Sequence, residues 1–344
     1  MTSPPPTGRR RAALTLVVLT PLIAELALGS TPIHLAFLLP LWLPIYGAGV
    51  LLIREAVRRF GGGWPSLVLL GVAYELVEDG LGLQALTSPH LYGAAGWAPR
   101  LFGLNTAYWE TNLVYHVAFS VLIPIALTDL IFPAHRDRPY LRRGGLVGTA
   151  ICAVFGVALL RVSVPPSQDP GYVAPAWALV GCVVAVAVLA VLALRVLPRR
   201  HRRLSVAGTL PPAGGRPGAT PAPWVVGTVA GVATLAFLAL SFPFGGARQP
   251  AFTHGSWALV PMAAAAVVTL AAARLVVRWS GTPGWRDRHR LAAIGGPLIA
   301  HTAFGAAAVA DTTVDRLGLV GLGVLTVVLL LALGRALGRR TRDR

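Results

Sequence analysis

Apolar residues are concentrated in ten long stretches of this 344-residue chain. A helix needs about 20 mostly apolar residues to cross a membrane, and Gly, Pro, Arg or a polar cluster ends each stretch. The pattern therefore predicts an all-α protein, a polytopic transmembrane helix bundle of about ten spans. They are predicted at residues 12–29, 32–53, 64–86, 109–132, 144–164, 173–197, 223–243, 256–279, 291–311 and 317–334.

The arginines support this count, because basic residues are retained on the cytoplasmic side of membrane proteins. With the N-terminus inside, 26 of the 30 basic side chains fall on cytoplasmic segments. The other four, Arg100, Arg161, Arg248 and Arg316, are scattered singly over the opposite side. A miscount by one span would destroy this bias, so we expect both termini in the cytoplasm.

The same topology explains the net charge of +17, which in a soluble protein would suggest a nucleic-acid partner. Here the charge belongs to the cytoplasmic loops, and no nucleic-acid partner is expected. The basic run 199–203 directly follows a span, a position typical of contacts with anionic lipid headgroups. The predicted partners are therefore the bilayer and these lipids, while the oligomeric state is left open.

Several other residues have a structural interpretation. All basic side chains except the histidines are Arg, and this usage of Arg in place of Lys is typical of a GC-rich genome. We therefore expect the protein in the cell membrane of an actinobacterium. Cys152 and Cys182 lie within apolar spans, which argues against disulfides and thiol metal sites and predicts small packing residues. Arg54 and Glu55, at the cytoplasmic end of the second span, are expected to be solvated.

Composition divides the chain into four parts. Residues 1–140 hold spans one to four and most intramembrane polar residues, and residues 141–209 hold spans five and six. The Pro- and Gly-rich stretch 210–223 is predicted to be a flexible cytoplasmic linker. Residues 224–344 hold spans seven to ten, where Gly227 and Gly231 either allow close helix packing or are merely two of 38 glycines.

The third span carries three carboxylates, Glu75, Glu78 and Asp79, directly after Tyr74. An ionised acid at the centre of a span costs about 2.5 to 3.5 kcal/mol, so such groups usually face protein or a water-filled cavity. Glu75 and Glu78 share one helical stripe with a glycine at each end, Gly71 and Gly82. We therefore expect a neighbouring helix to approach this stripe closely.

The fourth span places Asn112, His116 and Ser120 on one face, at successive spacings of four. Asp79 and His116 each lie seven residues from the outer end of their spans, about 10 Å deep at 1.5 Å per residue. Their equal depth predicts a cluster of Glu75, Glu78, Asp79, Asn112 and His116 in the outer half of the membrane. Tyr74 and Glu25 are expected to support it.

Three interpretations of this cluster stay open. Glu75, Glu78, Asp79 and His116 are candidate ligands of a divalent metal with an activated water. The same groups can relay protons, since His titrates near neutrality. They can also form a hydrogen-bonded network that only fixes helix packing.

At Glu78-Asp79 and His116, the chain resembles the CAAX-protease and bacteriocin-processing family of intramembrane proteases. That family pairs two acids on one membrane helix with a histidine on the next. The resemblance covers residues 74–120. It implies that Glu78 is the base for a water molecule and that His116 is a ligand or an electrostatic stabiliser, which makes these two the candidate catalytic residues.

The chain departs from the family pattern at three positions. The second acid is Asp79, Leu83 stands where the family has Arg, and Asn112 stands where it has Phe. A histidine of the family's third motif could be matched only by His301. The resemblance is therefore partial.

Three functions follow from the sequence. The first is an intramembrane hydrolase, for which the acids and His116 could bind a divalent metal. The second is a transporter or proton-coupled permease, which is consistent with ten spans and buried carboxylates. The third is a non-catalytic scaffold or accessory subunit. No nucleotide, haem or zinc-protease motif occurs in the chain, so no small-molecule cofactor is predicted.

Overall fold

The computed structural model describes residues 8–199, 219–242 and 254–342, which form helices and no β-strand. Residues 210–218 of the linker predicted at 210–223 lie outside the described residues, and so does the part of the basic run that follows Arg199. Ten long helices occupy the ten predicted spans. In chain order they are α1 (Arg9–Pro21), α2 (Ile33–Phe60), α3 (Trp64–Glu75), α4 (Thr106–Ile131), α5 (Arg143–Gln168), α6 (Ala176–Arg199), α7 (Pro223–Leu240), α8 (Gly255–Ser280), α9 (Asp287–Val309) and α10 (Thr313–Arg340).

Eight of these helices, α2 and α4 to α10, are long and apolar enough to cross a membrane. The other two differ by their charges. Helix α1 begins with three arginines, and α3 continues through a π-helical segment, Leu76–Gly82, that carries two carboxylates. The all-α polytopic bundle predicted from the sequence is confirmed.

The chain forms two compact units, of which the first holds residues 8–24, 38–91 and 112–199 of those described. In this unit α3 packs against α4, and α5 and α1 both pack against the π-helical segment Leu43–Ala48 of α2. Gly156 of α5 lies against the backbone of Pro44 and Ile45. Because a side chain at residue 156 would collide with that backbone, the glycine sets how closely the two helices approach.

The second unit holds residues 25–37, 92–111, 219–242 and 254–342. Its closest helix pair is α7 and α9, where a Cβ added to Gly296 would collide with the carbonyl oxygen of Gly227. A Cβ added to Gly231 would lie 3.1 Å from the Gly296 carbonyl oxygen. Of the two alternatives that the sequence left open at Gly227 and Gly231, the structure shows close helix packing. At one end of this unit, His34 Nδ1 lies 2.9 Å from Asp315 Oδ1.

Arg54 and Glu55 are not solvated, contrary to prediction, because both side chains are completely buried in the first unit. Arg54 pairs with Asp129 at 2.9 Å and donates to three backbone carbonyls, those of residues 135, 136 and 138. The Tyr140 ring covers its guanidinium at 3.4 Å. Glu55 accepts the backbone N–H groups of Tyr140 and Leu141. The segment after α4 therefore folds over the end of α2 and replaces water at both charges.

The outer surfaces of the long helices are apolar. The described parts of α5, α6, α8 and α10 expose many large Val, Leu and Ile side chains, as a lipid environment requires. Cys152 is exposed on α5, so its predicted packing role is wrong, whereas Cys182 is half-buried beside Gly80.

Contact of the arginines with anionic lipid stays a prediction. Among the exposed arginines of the described residues are Arg138, Arg142, Arg143, Arg195 and Arg199.

Candidate functional site

The polar cluster of the first unit is built on two π-helical segments. Glu78 and Asp79 lie in Leu76–Gly82, the continuation of α3, and His116 opens His116–Leu122 within α4. A π-helical turn widens the backbone and shifts the side chains that follow, and such turns are frequent at functional sites. Here the two widened segments bring carboxylates and imidazole together.

His116 lies between two carboxylates. Its Nδ1 is 3.6 Å from Glu78 Oε2, and its Nε2 is 3.4 Å from Asp79 Oδ2. Residue exposures are 2% for Glu78, 1% for Asp79, 4% for His116 and 0% for Glu75, so the cluster is closed to bulk solvent. Glu75 is near enough to act electrostatically on the imidazole. The sequence-predicted meeting of Glu75, Glu78, Asp79 and His116 is thus what the structure shows.

Three tyrosines surround the imidazole of His116. The ring centroids of Tyr74 and Tyr115 are each 5.8 Å from it, and that of Tyr46 is 6.2 Å away. The Tyr46 and Tyr74 hydroxyls are also near enough to the Glu78 carboxylate to influence it electrostatically. The Tyr115 hydroxyl instead donates to the Ala24 carbonyl at 2.5 Å, which fixes its ring. The cluster therefore combines charged groups with rings held in defined orientations.

Small residues allow the neighbouring helices to reach the carboxylates of α3, as the glycine stripe predicted. A Cβ added to Gly71 would lie 3.2 Å from Val117 of α4, and one added to Gly82 would lie 3.1 Å from Leu160 of α5. Cys182 of α6 packs at Gly80, close enough to Glu75 for an electrostatic effect on its thiol. Three different helices thus close around the acid-bearing segment.

The supporting residues predicted from the sequence have different positions. Tyr74 is a member of the cluster, and Asn112 is buried one turn before His116 on α4. Glu25 belongs to the second unit, where its carboxylate accepts a hydrogen bond from Thr31 Oγ1 at 3.0 Å. His301, which the family pattern singled out, is fully buried in α9 of the second unit.

A metal site at the cluster stays a prediction. Within the described parts of the chain, no group of three or more His, Cys, Asp or Glu side chains is arranged to hold one metal ion. Glu75, Glu78, Asp79 and His116 are the donor types that divalent metals prefer, but here His116 lies between Glu78 and Asp79, with its two ring nitrogens facing different carboxylates.

Sequence reasoning missed Tyr46, Cys182 and the role of Ser120. Ser120 Oγ lies 3.0 Å from His116 Nδ1, although the sequence analysis had placed it only on the same face. Tyr46 is a lone hydroxyl in the apolar second span, four residues after Trp42, a signal easily taken for an interfacial anchor. Its position could be recognised only once α2 was known to contact α3.

The chain belongs to a family whose description is "Uncharacterized membrane protein family" and which matches residues 14–304. This match covers most of the chain, including the whole polar cluster, and agrees with the apolar helices in assigning a multi-pass membrane protein. No curated protein and no solved structure matches the chain.

Proposed function

We propose that this chain is an intramembrane hydrolase whose central groups are Glu78 and His116. The observation that supports the proposal is an imidazole between two buried carboxylates, 3.6 Å from Glu78 and 3.4 Å from Asp79. A base, a proton carrier and an orienting acid within a few ångströms of one another are the parts that general acid–base hydrolysis needs, and such contacts tighten when the substrate binds. A site buried within apolar helices would take a substrate that is itself in the membrane.

Each group has a proposed role. Glu78 removes a proton from water, and His116 passes a proton to the leaving group, while Asp79 holds the imidazole in one orientation. The hydroxyls of Tyr46 and Tyr74, both next to Glu78, are donors for the negative oxygen that develops in the transition state. The resemblance of Glu78-Asp79 and His116 to the CAAX-protease family makes a peptide bond the bond we propose to be cleaved.

The test compares new peptide N-termini in membranes of cells that produce the wild type, Glu78→Gln or Glu55→Gln. Glu55 is a matched control because it is an equally buried acid of the first unit that lies outside the cluster. We expect wild-type-dependent N-termini that disappear with Glu78→Gln and persist with Glu55→Gln, at equal amounts of monodisperse protein. Identical N-termini with wild type and Glu78→Gln, or none with the wild type, would refute the proposal.

The second candidate function is proton-coupled transport. The same three side chains, Glu78, His116 and Asp79, favour it because an imidazole between two acids can pass protons. It predicts that purified protein in liposomes lets protons through in response to a pH gradient. An interior pH dye should then report a leak that Asp79→Asn removes. Equal leak from wild type and Asp79→Asn, or no leak above empty liposomes, would exclude this function.

A further inference from the structure

Ser120 has an unusual hydrogen-bonding partner for a helical hydroxyl. It is completely buried one turn after His116, and its Oγ lies 3.0 Å from the imidazole Nδ1. A buried helical hydroxyl commonly donates to the carbonyl four residues earlier. Five threonines of the described helices do so: Thr20, Thr128, Thr149, Thr234 and Thr326. Ser120 is directed instead at the side chain four residues earlier.

The other ring nitrogen of His116 completes a chain of three groups. Its Nε2 lies 3.4 Å from Asp79 Oδ2. Glu78 Oε2 lies on the Nδ1 side at 3.6 Å. The tautomer needed for the step below carries its ring hydrogen on Nε2, facing Asp79, and leaves Nδ1 to accept from the Ser120 hydroxyl. Hydroxyl, imidazole and carboxylate then follow in the order that activates serine in many hydrolases, with the two ring nitrogens exchanged.

We infer that Ser120 is the nucleophile of this site, an inference that rests on the proposed hydrolase function. Ser120 Oγ forms a bond to the substrate carbonyl carbon while its proton moves to His116 Nδ1. The carbon–nitrogen bond then breaks, and the leaving amine takes that proton. Glu78 keeps its role in the second step, where it removes a proton from the water that cleaves the acyl ester. The released Ser120 oxygen recovers the proton that Glu78 took from this water, either directly or through His116.

The burial of Ser120 fits this role in a membrane site. An acyl-enzyme ester is protected from bulk water by the closed cluster, and only a water bound at Glu78 would reach it. Glu78 Oε2 lies on the Nδ1 side of the imidazole, the same side as Ser120. The base for the second step is thus next to the residue that carries the acyl group.

The test uses purified full-length protein in liposomes and an alkyl fluorophosphonate, which needs no knowledge of the substrate. Ser120 Oγ forms a bond to phosphorus, the phosphorus–fluorine bond breaks, and the proton passes to His116 as fluoride leaves. We expect mass spectrometry to find one adduct per wild-type chain, on Ser120. The control is Ser66→Ala, since Ser66 is a buried serine of α3 whose hydroxyl donates to the Ala193 carbonyl at 2.7 Å.

The inference is supported if Ser120 is labelled in the wild type and in Ser66→Ala, and if this labelling is about 10²-fold slower or more in His116→Gln. An unlabelled wild-type protein, or an adduct on another residue, would overturn the inference. This result is obtained with the wild type alone, so it does not depend on whether a variant folds. New N-termini that depend on Glu78 would then still support a hydrolase that uses water directly. A Ser120 adduct without any Glu78-dependent cleavage would retain the nucleophile and refute the peptide bond as substrate.

Discussion

Asp79 Oδ2 lies 3.4 Å from His116 Nε2, so an acid of the α3 continuation and an imidazole of α4 meet inside the protein. Neither side chain could be buried cheaply alone, because a charged group within a membrane helix costs about 2.5 to 3.5 kcal/mol. The imidazole offsets part of the desolvation of the carboxylates, whereas the carboxylates of Glu75, Glu78 and Asp79 repel one another when ionised. Apolar residues would pack these helices at lower cost, which supports the chemical role that we propose for the cluster.

Gly296→Ala is expected to destabilise the second unit. The added Cβ would collide with the Gly227 carbonyl oxygen, which is backbone and has no flexible side chain to move aside. Overpacking of this kind costs about 1–3 kcal/mol. The measurement is the unfolding temperature of the detergent-purified protein.

The matched control for Gly296→Ala is Gly321→Ala on α10, where nothing lies within 4 Å of an added Cβ. This variant should unfold at or slightly above the wild-type temperature, because Ala favours a helix over Gly by up to about 1 kcal/mol. Equal effects of the two substitutions would contradict the close contact of α7 and α9.

Arg54→Ala is expected to be among the most destabilising single changes in the first unit. It would leave Asp129 with one fewer cation and three backbone carbonyls without their donor. Breaking a buried ion pair on one side costs about 3–5 kcal/mol. Arg142→Ala, at an exposed arginine, should change the unfolding temperature little, and a similar loss in both variants would argue against the buried network.

Tyr140 should make the protein sensitive to alkaline pH. Burial raises the pKa of its hydroxyl above the ordinary value near 10, although the nearby Arg54 guanidinium acts in the opposite direction. Above pH 10 the unfolded chain loses this proton while the folded chain keeps it, so the stabilisation is complete below pH 10 and is lost as pH rises. The loss approaches about 1.4 kcal/mol per pH unit.

Tyr140→Phe removes this effect and leaves the other tyrosines unchanged. Between pH 9 and pH 11.5, the unfolding temperature of the wild type should therefore fall more steeply than that of Tyr140→Phe. Parallel curves for the two proteins would show that Tyr140 is accessible to solvent in the folded state.

The sequence predicted the features that depend on fixed helix geometry. Apolar length located the ten helices that lie at the predicted spans in the described part of the chain, and the constant rise per residue placed Asp79 and His116 at one depth, where the structure brings them together. It did not predict Tyr46, because its contact with the cluster depends on which helices are neighbours. The burial of Arg54 was missed for a similar reason, since the carbonyls that satisfy it come from a segment more than 80 residues later.

The central claim is that the cluster performs chemistry rather than packing alone, and Glu78→Gln tests it most directly. Cleavage of a membrane-embedded peptide and the unfolding temperature should be measured on the same purified samples. We predict that peptide cleavage falls about 10²-fold or more while the unfolding temperature stays close to that of the wild type. Undiminished cleavage per folded molecule, with a lowered unfolding temperature, would show that Glu78 serves only the fold.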